Sequence, residues 1–261
     1  MNSDYAMLER TRLLIGEDNL QKLQSSTIMI AGLGGVGAFA CEAVVRAGVG
    51  KVIVFDGDTV SKSNLNRQLI ALNSTIGKGK AELMRQRMTD INPKLDIIAL
   101  NEYVRDDRMS DLLTKYHPDW VIDAIDTLSP KVFLLIHCYR MGIKTVSSMG
   151  SGGKFNPSLI KVTDISQTYN CPLASHIRKH LHKQGIYNGI SAIFSPEKIA
   201  NNATVEEINE NKRTTVGTIS YMPSIFGLTA ASVVIREIIG MEAYQRKEDK
   251  KYYQDKKQFN L

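Results

Sequence analysis

The stretch TIMIAGLGGVGAFACEAVVRAG, residues 27–48, constrains the fold more than any other part of the chain. A short apolar run leads into four glycines, Gly32, Gly34, Gly35 and Gly37, and a helical pattern follows until Gly48, placed as a C-cap. Strand, glycine turn and helix in that order make the phosphate-cradling unit of nucleotide-binding sheets. Gly32 permits the tight turn, Gly34 and Gly35 let backbone approach phosphate, and Gly37 lets helix pack on strand. The helix amino terminus adds N–H donors and a favourable dipole.

The alternation continues. KVIVFD (51–56), DIIALN (96–101), DWVIDAID (119–126) and KTVSSM (144–149) read as strands, with KAELMRQRMTDIN (80–92), DRMSDLLTKY (107–116) and PKVFLLIHCYRMG (130–142) as helices. This rhythm predicts an α/β fold, a doubly wound, mostly parallel, Rossmann-like sheet covered on both faces. Past about residue 160 the rhythm weakens: LIKVTDI reads as a strand, PLASHIRKHLHKQG as a helix, and the polar stretch 196–218 as a mobile loop. No repeat or linker divides the chain. Residues 1–245 are expected to form one domain with an amino-terminal helix and a carboxy-terminal elaboration, and 246–261 a basic tail. The nearly uncharged stretch 219–235 approaches the length of a membrane span, but Pro223 and the charged REIIG that follows favour a buried core helix.

The glycines and Asp56, at the end of the second strand where a carboxylate meets ribose hydroxyls, suit a nicotinamide dehydrogenase as well as an ATP enzyme. The next residues shift the balance. DGDTVSKSNLNRQ (56–68) and GKGKAE crowd Asp58, Ser63, Asn64, Arg67, Gln68 and Lys80 at the mouth of the glycine turn. A triphosphate needs such charge neutralisation, and an in-line attack needs its equatorial oxygens stabilised. Asp126, at the end of a later strand, falls on the same carboxyl edge, where one carboxylate can hold magnesium that bridges phosphates. Surface salt bridging is the competing account of these charges.

The net charge of +6 allows a nucleic-acid partner without requiring one. The three cysteines, Cys41, Cys138 and Cys171, contain no CxxC pair, so neither a disulfide framework nor a zinc knuckle is suggested. With no apolar segment of signal-peptide length at the amino terminus, the expected compartment is the cytoplasm. His176, His180 and His182 lie on one predicted helix without a persuasive metal-binding spacing.

GLGGVG, DGDTVSKSNLNRQ, GKGKAE and DAIDT together resemble the ATP-binding set of the ubiquitin-activating superfamily, which includes the adenylyltransferases of molybdopterin and thiamine biosynthesis. The resemblance implies that Asp56 binds ribose, that Asn64, Arg67 and Lys80 contact phosphates, and that Asp126 binds magnesium. It also implies a homodimer in which an amino-terminal arginine, Arg12 or failing that Arg10, reaches the neighbouring subunit's site. Arg12, Arg67, Lys80 and Asp126 are thus the candidate catalytic set. From DAID through GSGGKFNP to VTDISQT and PLA, the chain resembles one branch of that superfamily, the tRNA threonylcarbamoyladenosine dehydratases. That likeness implies ATP-driven activation of the carboxylate of threonylcarbamoyladenosine in tRNA through an acyl-adenylate, then ring closure by the neighbouring carbamoyl group. An attacking group in the same molecule needs no enzyme thiol. The alternative is adenylation of the Gly-Gly terminus of a ubiquitin-like or sulfur-carrier protein. Lys161, HIRKHLHK (176–183) and NKR (211–213) read equally as tRNA contacts and as a solvated surface. On a monovalent cation and a cooperating cysteine desulfurase system, both familiar in such company, the sequence is silent.

Overall fold

A computed structural model describes residues 3–198, 204–205 and 215–244. A helical segment at the amino terminus is broken at Gly16 (φ 81°) into α1 (Glu9–Ile15) and α2 (Glu17–Ser25). Then come β1 (Thr27–Ala31), α3 (Gly37–Ala47), β2 (Lys51–Phe55), α4 (Lys80–Ile91), β3 (Asp96–Leu100), α5 (Asp106–Tyr116) and β4 (Trp120–Asp123). The rest comprises α6 (Leu128–Arg140), β5 (Lys144–Ser148), β6 (Lys161–Asp164), α7 (Pro172–Lys183), β7 (Ser191–Phe194), β8 (Thr204–Val205), β9 (Thr215–Val216) and α8 (Tyr221–Ile238).

Seven strands form the main sheet in the order β3-β2-β1-β4-β5-β7-β6, all parallel except β6, which runs antiparallel to β7 at the edge. The central strands are buried on both faces, and alternate residues enter different cores. Ile28 and Ile30 of β1 pack with α3, α4 and α8, whereas Met29 and Ala31 pack with α5 and α6. Each of the two isoleucines and Met29, fully withdrawn from water, contributes about 1.5–3 kcal/mol, and Ala31 less. A third cluster joins α6, α7 and β7 around Leu135, Ile177 and Phe194.

β1 feeds β2 on one side while β4 lies on its other side, so the strand order reverses between β1 and β4. At such a reversal doubly wound sheets bind ligands, in the crevice outside the carboxyl ends of the two strands. The apolar stretch near the carboxy terminus is α8, which carries Pro223 in its first turn and buries Met222, Phe226, Ala230 and Val234. It crosses α3 at Gly227, where a Cβ would lie 2.2 Å from the Val36 carbonyl oxygen. Among the described residues no helix is long and apolar enough to cross a membrane.

Two readings need correction. β4 ends at Asp123, so Asp126 stands three residues past the strand. β7 carries no strand assignment in the sequence reading, and the polar stretch 196–218 contains the paired strands β8 and β9. The basic residues 211–213 and the tail 246–261 lie outside the described residues.

Candidate functional site

The glycine turn forms the floor of the crevice. Gly32 has a φ of 89°, and a Cβ on it would meet the Ala124 carbonyl oxygen at 2.9 Å. A Cβ on Gly37 would fall 1.8 Å from the Gly32 carbonyl oxygen, and one on Gly35 would strike the Cβ of Pro223 at 2.9 Å. These three glycines are therefore required by the protein's own packing, against β4's exit, the turn itself and α8. For Gly35 that differs from the sequence expectation of phosphate approach. Gly34 alone keeps room, its nearest neighbour being the Gln68 amide nitrogen at 3.7 Å from an added Cβ. No side chain caps α3, so its amino-terminal N–H groups are the kind an anion satisfies.

Asp56 follows β2 and leans back over the turn. Its Oδ2 accepts from the Leu33 amide at 2.6 Å and its Oδ1 from the Asp58 amide at 2.8 Å. Burial holds its carboxyl above the usual carboxylate range, opposed by Lys80 and by those two N–H groups. The segment between β2 and α4 closes on itself: Val60 N–H donates to the Lys78 carbonyl at 2.9 Å and Lys80 N–H to the Asp58 carbonyl at 3.0 Å. Two sequence motifs, residues 56–68 and 77–82, are thereby laid side by side. Lys80 opens α4 with only 3% of its surface exposed, and its Nζ lies 2.7 Å from Asp58 Oδ2. Tyr103 donates its hydroxyl to Asp58 Oδ1 at 2.5 Å, a bond that pushes the phenol up to about 12.

Asn64 is buried and its Oδ1 accepts from the Ser61 amide at 3.1 Å, which shapes the loop. Ser63 bonds Ser61 side chain to side chain at 2.9 Å, and its carbonyl accepts from Arg67 at 2.7 Å. The Arg67 guanidinium also meets Asn66 Oδ1 at 2.8 Å, so its charge is folded onto its own loop beside the turn. Gln68 is 9% exposed, and its Oε1 is a buried oxygen without a hydrogen-bond partner. An orphaned acceptor beside the one roomy glycine is a vacancy in the hydrogen bonding that a donor-bearing ligand fills.

Asp126 is exposed on the loop leaving β4, the loop whose Ala124 abuts Gly32. Beneath it lies a feature that sequence reading misses. Asp123 and Lys131 are both fully buried, with Lys131 Nζ 2.8 Å from Asp123 Oδ2. In sequence Lys131 looks like any surface lysine in the first turns of a helix, and only the strand-terminal acid Asp123 hints at a partner.

Arg12 does not join this cluster within the chain. It pairs with Glu9 at 3.0 Å on α1, just after Leu8, which packs beside Gly48 at the far end of α3 from the glycine turn. Its neighbours Leu13 and Leu14 are 73% and 85% exposed. Of the cysteines, Cys41 and Cys138 are buried with thiols pushed up by desolvation, Cys138 to about 12. Cys171 is buried at the start of α7. Among the described residues no group of three or more His, Cys, Asp or Glu could hold a metal ion. A single carboxylate at Asp126 fits a magnesium ion whose other ligands are phosphate oxygens and water.

A glycine turn at a sheet's switch point, with a strand-terminal acid and a buried lysine beside it, marks a nucleotide-binding α/β protein. The model of the ThiF family matches residues 8–260, and the chain belongs to that family. Its branch is that of the tRNA threonylcarbamoyladenosine dehydratases. The enzyme of that name from Bacillus subtilis is 36% identical, over 92% of this chain and 98% of its own length. The Escherichia coli one is 31% identical, over 90% of this chain and 94% of its own. The crystal structure of the Escherichia coli tRNA N6-threonylcarbamoyladenosine dehydratase, TcdA, in complex with ATP, superposes with a TM-score of 0.82 at 30% identity, covering 92% of this chain and 96% of that one.

Proposed function

We propose that the chain is an ATP-dependent enzyme that dehydrates threonylcarbamoyladenosine in tRNA, closing it into a ring through an acyl-adenylate. The observation that carries this reading is the union of two motifs over one glycine turn: buried Lys80 paired with Asp58, Asp56 bonded to the Leu33 amide, and the Gln68 side chain, whose oxygen is orphaned, with its amide nitrogen towards Gly34. ATP is the substrate these groups suit. Gly34 and the start of α3 receive phosphate, Asp56 accepts from ribose hydroxyls, Asn64, Arg67 and Lys80 contact the phosphates, and the two cations among them offset the phosphate charge. Ser63 and Asp58 hold that loop and that lysine in place. Asp126 would hold magnesium, which when bound offsets phosphate charge and favours pyrophosphate as a leaving group.

The substrate's carboxylate oxygen attacks the α-phosphorus, and the bond to pyrophosphate breaks. The carbamoyl group then attacks the activated carbonyl and gives up its proton, the bond to AMP breaks, AMP leaves with the oxygen that the carboxylate brought to phosphorus, and the net loss from the nucleoside is one water. Lys80 and Arg67 stabilise charge in the first step. The second is intramolecular and gains from high effective molarity. Thus no cysteine is required, in keeping with the buried thiols of Cys41, Cys138 and Cys171.

Residues 1–245 act in this reading as one adenylating domain of a cytoplasmic homodimer, with Arg12 supplied in trans and the tail 246–261 as an appendage. Lys161, at the carboxyl edge opposite Phe194, and the exposed Lys179 and Lys183 of α7 meet tRNA phosphates. The test is incubation of purified protein with tRNA bearing threonylcarbamoyladenosine, ATP and magnesium, followed by mass analysis of the digested nucleosides. Loss of one water in wild type and in Cys171→Ala is expected. No mass change, or pyrophosphate exchange stimulated only by a Gly-Gly carrier protein, overturns the assignment. Loss of activity in Cys171→Ala alone overturns the thiol-free route.

A further inference from the structure

We propose that the buried Asp123–Lys131 pair is a positioning device for Asp126, fixing the carboxylate that would hold magnesium; the proposal rests on the adenylation reading above. The argument starts from what the pair does with its spare hydrogen bonds. Asp123 Oδ1 accepts from the Ile125 amide at 3.1 Å, and Lys131 Nζ donates to the Ile125 carbonyl at 2.9 Å. One acid and one base thus hold both backbone polar groups of the residue immediately before Asp126. Ser147, directly across on β5, donates to Asp123 Oδ2 at 2.6 Å and fixes the acid from the neighbouring strand. On the other side, the Ala124 amide continues the sheet by donating to the Ala31 carbonyl at 2.9 Å. The loop from β4 to α6 is therefore tied at consecutive residues, Ala124 and Ile125, up to the exposed Asp126.

Stability alone is a poor reason for such a pair. Both ions are fully buried, and desolvating two charges offsets most or all of their mutual attraction, so apolar replacements of similar volume are often neutral or better. What an apolar pair cannot do is grip Ile125 from both sides. Groups that orient a metal-binding carboxylate typically change metal affinity by about 10–100-fold when removed.

The experiment follows AMP formation against magnesium concentration, with ATP affinity measured separately without magnesium and Tm measured for each variant. Asp126→Asn tests the underlying reading, and the paired change Asp123→Leu with Lys131→Met removes the grip without leaving a lone buried charge. Asp126→Asn should raise the half-saturating magnesium concentration, and the paired variant should raise it by about tenfold. Magnesium-free ATP affinity should change less than about twofold in both. If Asp126→Asn leaves the magnesium response unchanged, the assignment of Asp126 is wrong and the proposal falls with it. If Asp126→Asn shifts the response and the paired variant does not, positioning is refuted while the site reading stands. A paired variant that loses magnesium-free ATP affinity to the same degree assigns the pair a general structural role and also refutes it. Should the paired variant not fold, Ser147→Ala, which removes one donor to Asp123, decides: a rise in magnesium requirement supports the proposal, and an unchanged response overturns it.

Discussion

Lys80 and Arg67 carry positive charge to the same crevice by different routes. Lys80 is buried and paired with Asp58, whereas Arg67 is bonded to Ser63 and Asn66 of its own loop. Either Lys80→Ala or Arg67→Ala is expected to slow ATP–pyrophosphate exchange by about 10²-fold or more, since each removes charge stabilisation of several kcal/mol. The comparison of kcat with KM separates them: if Arg67 exchanges its bonds to Ser63 and Asn66 for phosphate contacts only in the transition state, its loss falls more on kcat. Tyr103 offers a titration. Its raised phenol means the bond to Asp58 is fully present below the unfolded tyrosine value near 10 and is lost as pH rises through about 12. Ultraviolet titration should show a late-ionising tyrosine that is missing in Tyr103→Phe; an unchanged curve refutes the bond. The residue-level signals in the sequence were those with charge and glycine in tight spacing. Lys131 was invisible because a lysine's burial is a property of the helix face it lands on, and Gln68's missing partner exists only in three dimensions.

At the scale of elements, the strands and helices from residue 27 to 149 were legible because each is a short apolar run or an amphipathic stretch bounded by glycine, proline or acid. β7 was not, since SAIF is four residues long and follows a polar turn, and β6's antiparallel sense has no local signature. Strand order is a matter of which helix face buries against which sheet face, and no short segment encodes that. The crossing of α8 on α3 depends on Gly227, whose added Cβ would sit against backbone that cannot yield. Gly227→Ala is expected to destabilise by about 1–3 kcal/mol and lower Tm by several degrees, at about 2–4 °C per kcal/mol for a chain of this size. Thermal unfolding measures it directly, and an unchanged Tm means the helices separate more freely than their packing implies.

For the whole molecule, Arg12 beside exposed Leu13 and Leu14 points outward, away from its own crevice. Mixing inactive Arg12→Ala with inactive Lys80→Ala is expected to restore turnover, because a mixed dimer holds one site with both residues intact. Failure to restore it, with sedimentation showing dimers, places Arg12 outside the site. Affinity for tRNA should fall steeply with salt, the signature of phosphate contacts that release counterions, and a flat salt response removes the basic surface from the interface. The seating of Pro223 on Gly35 also bears on the birth of the protein. A turn completed within the first forty residues is roofed by a helix that begins beyond the two-hundredth. The nascent chain therefore cannot wall off this turn until α8 has also been synthesised, and a product truncated ahead of that helix emerges with the turn unroofed.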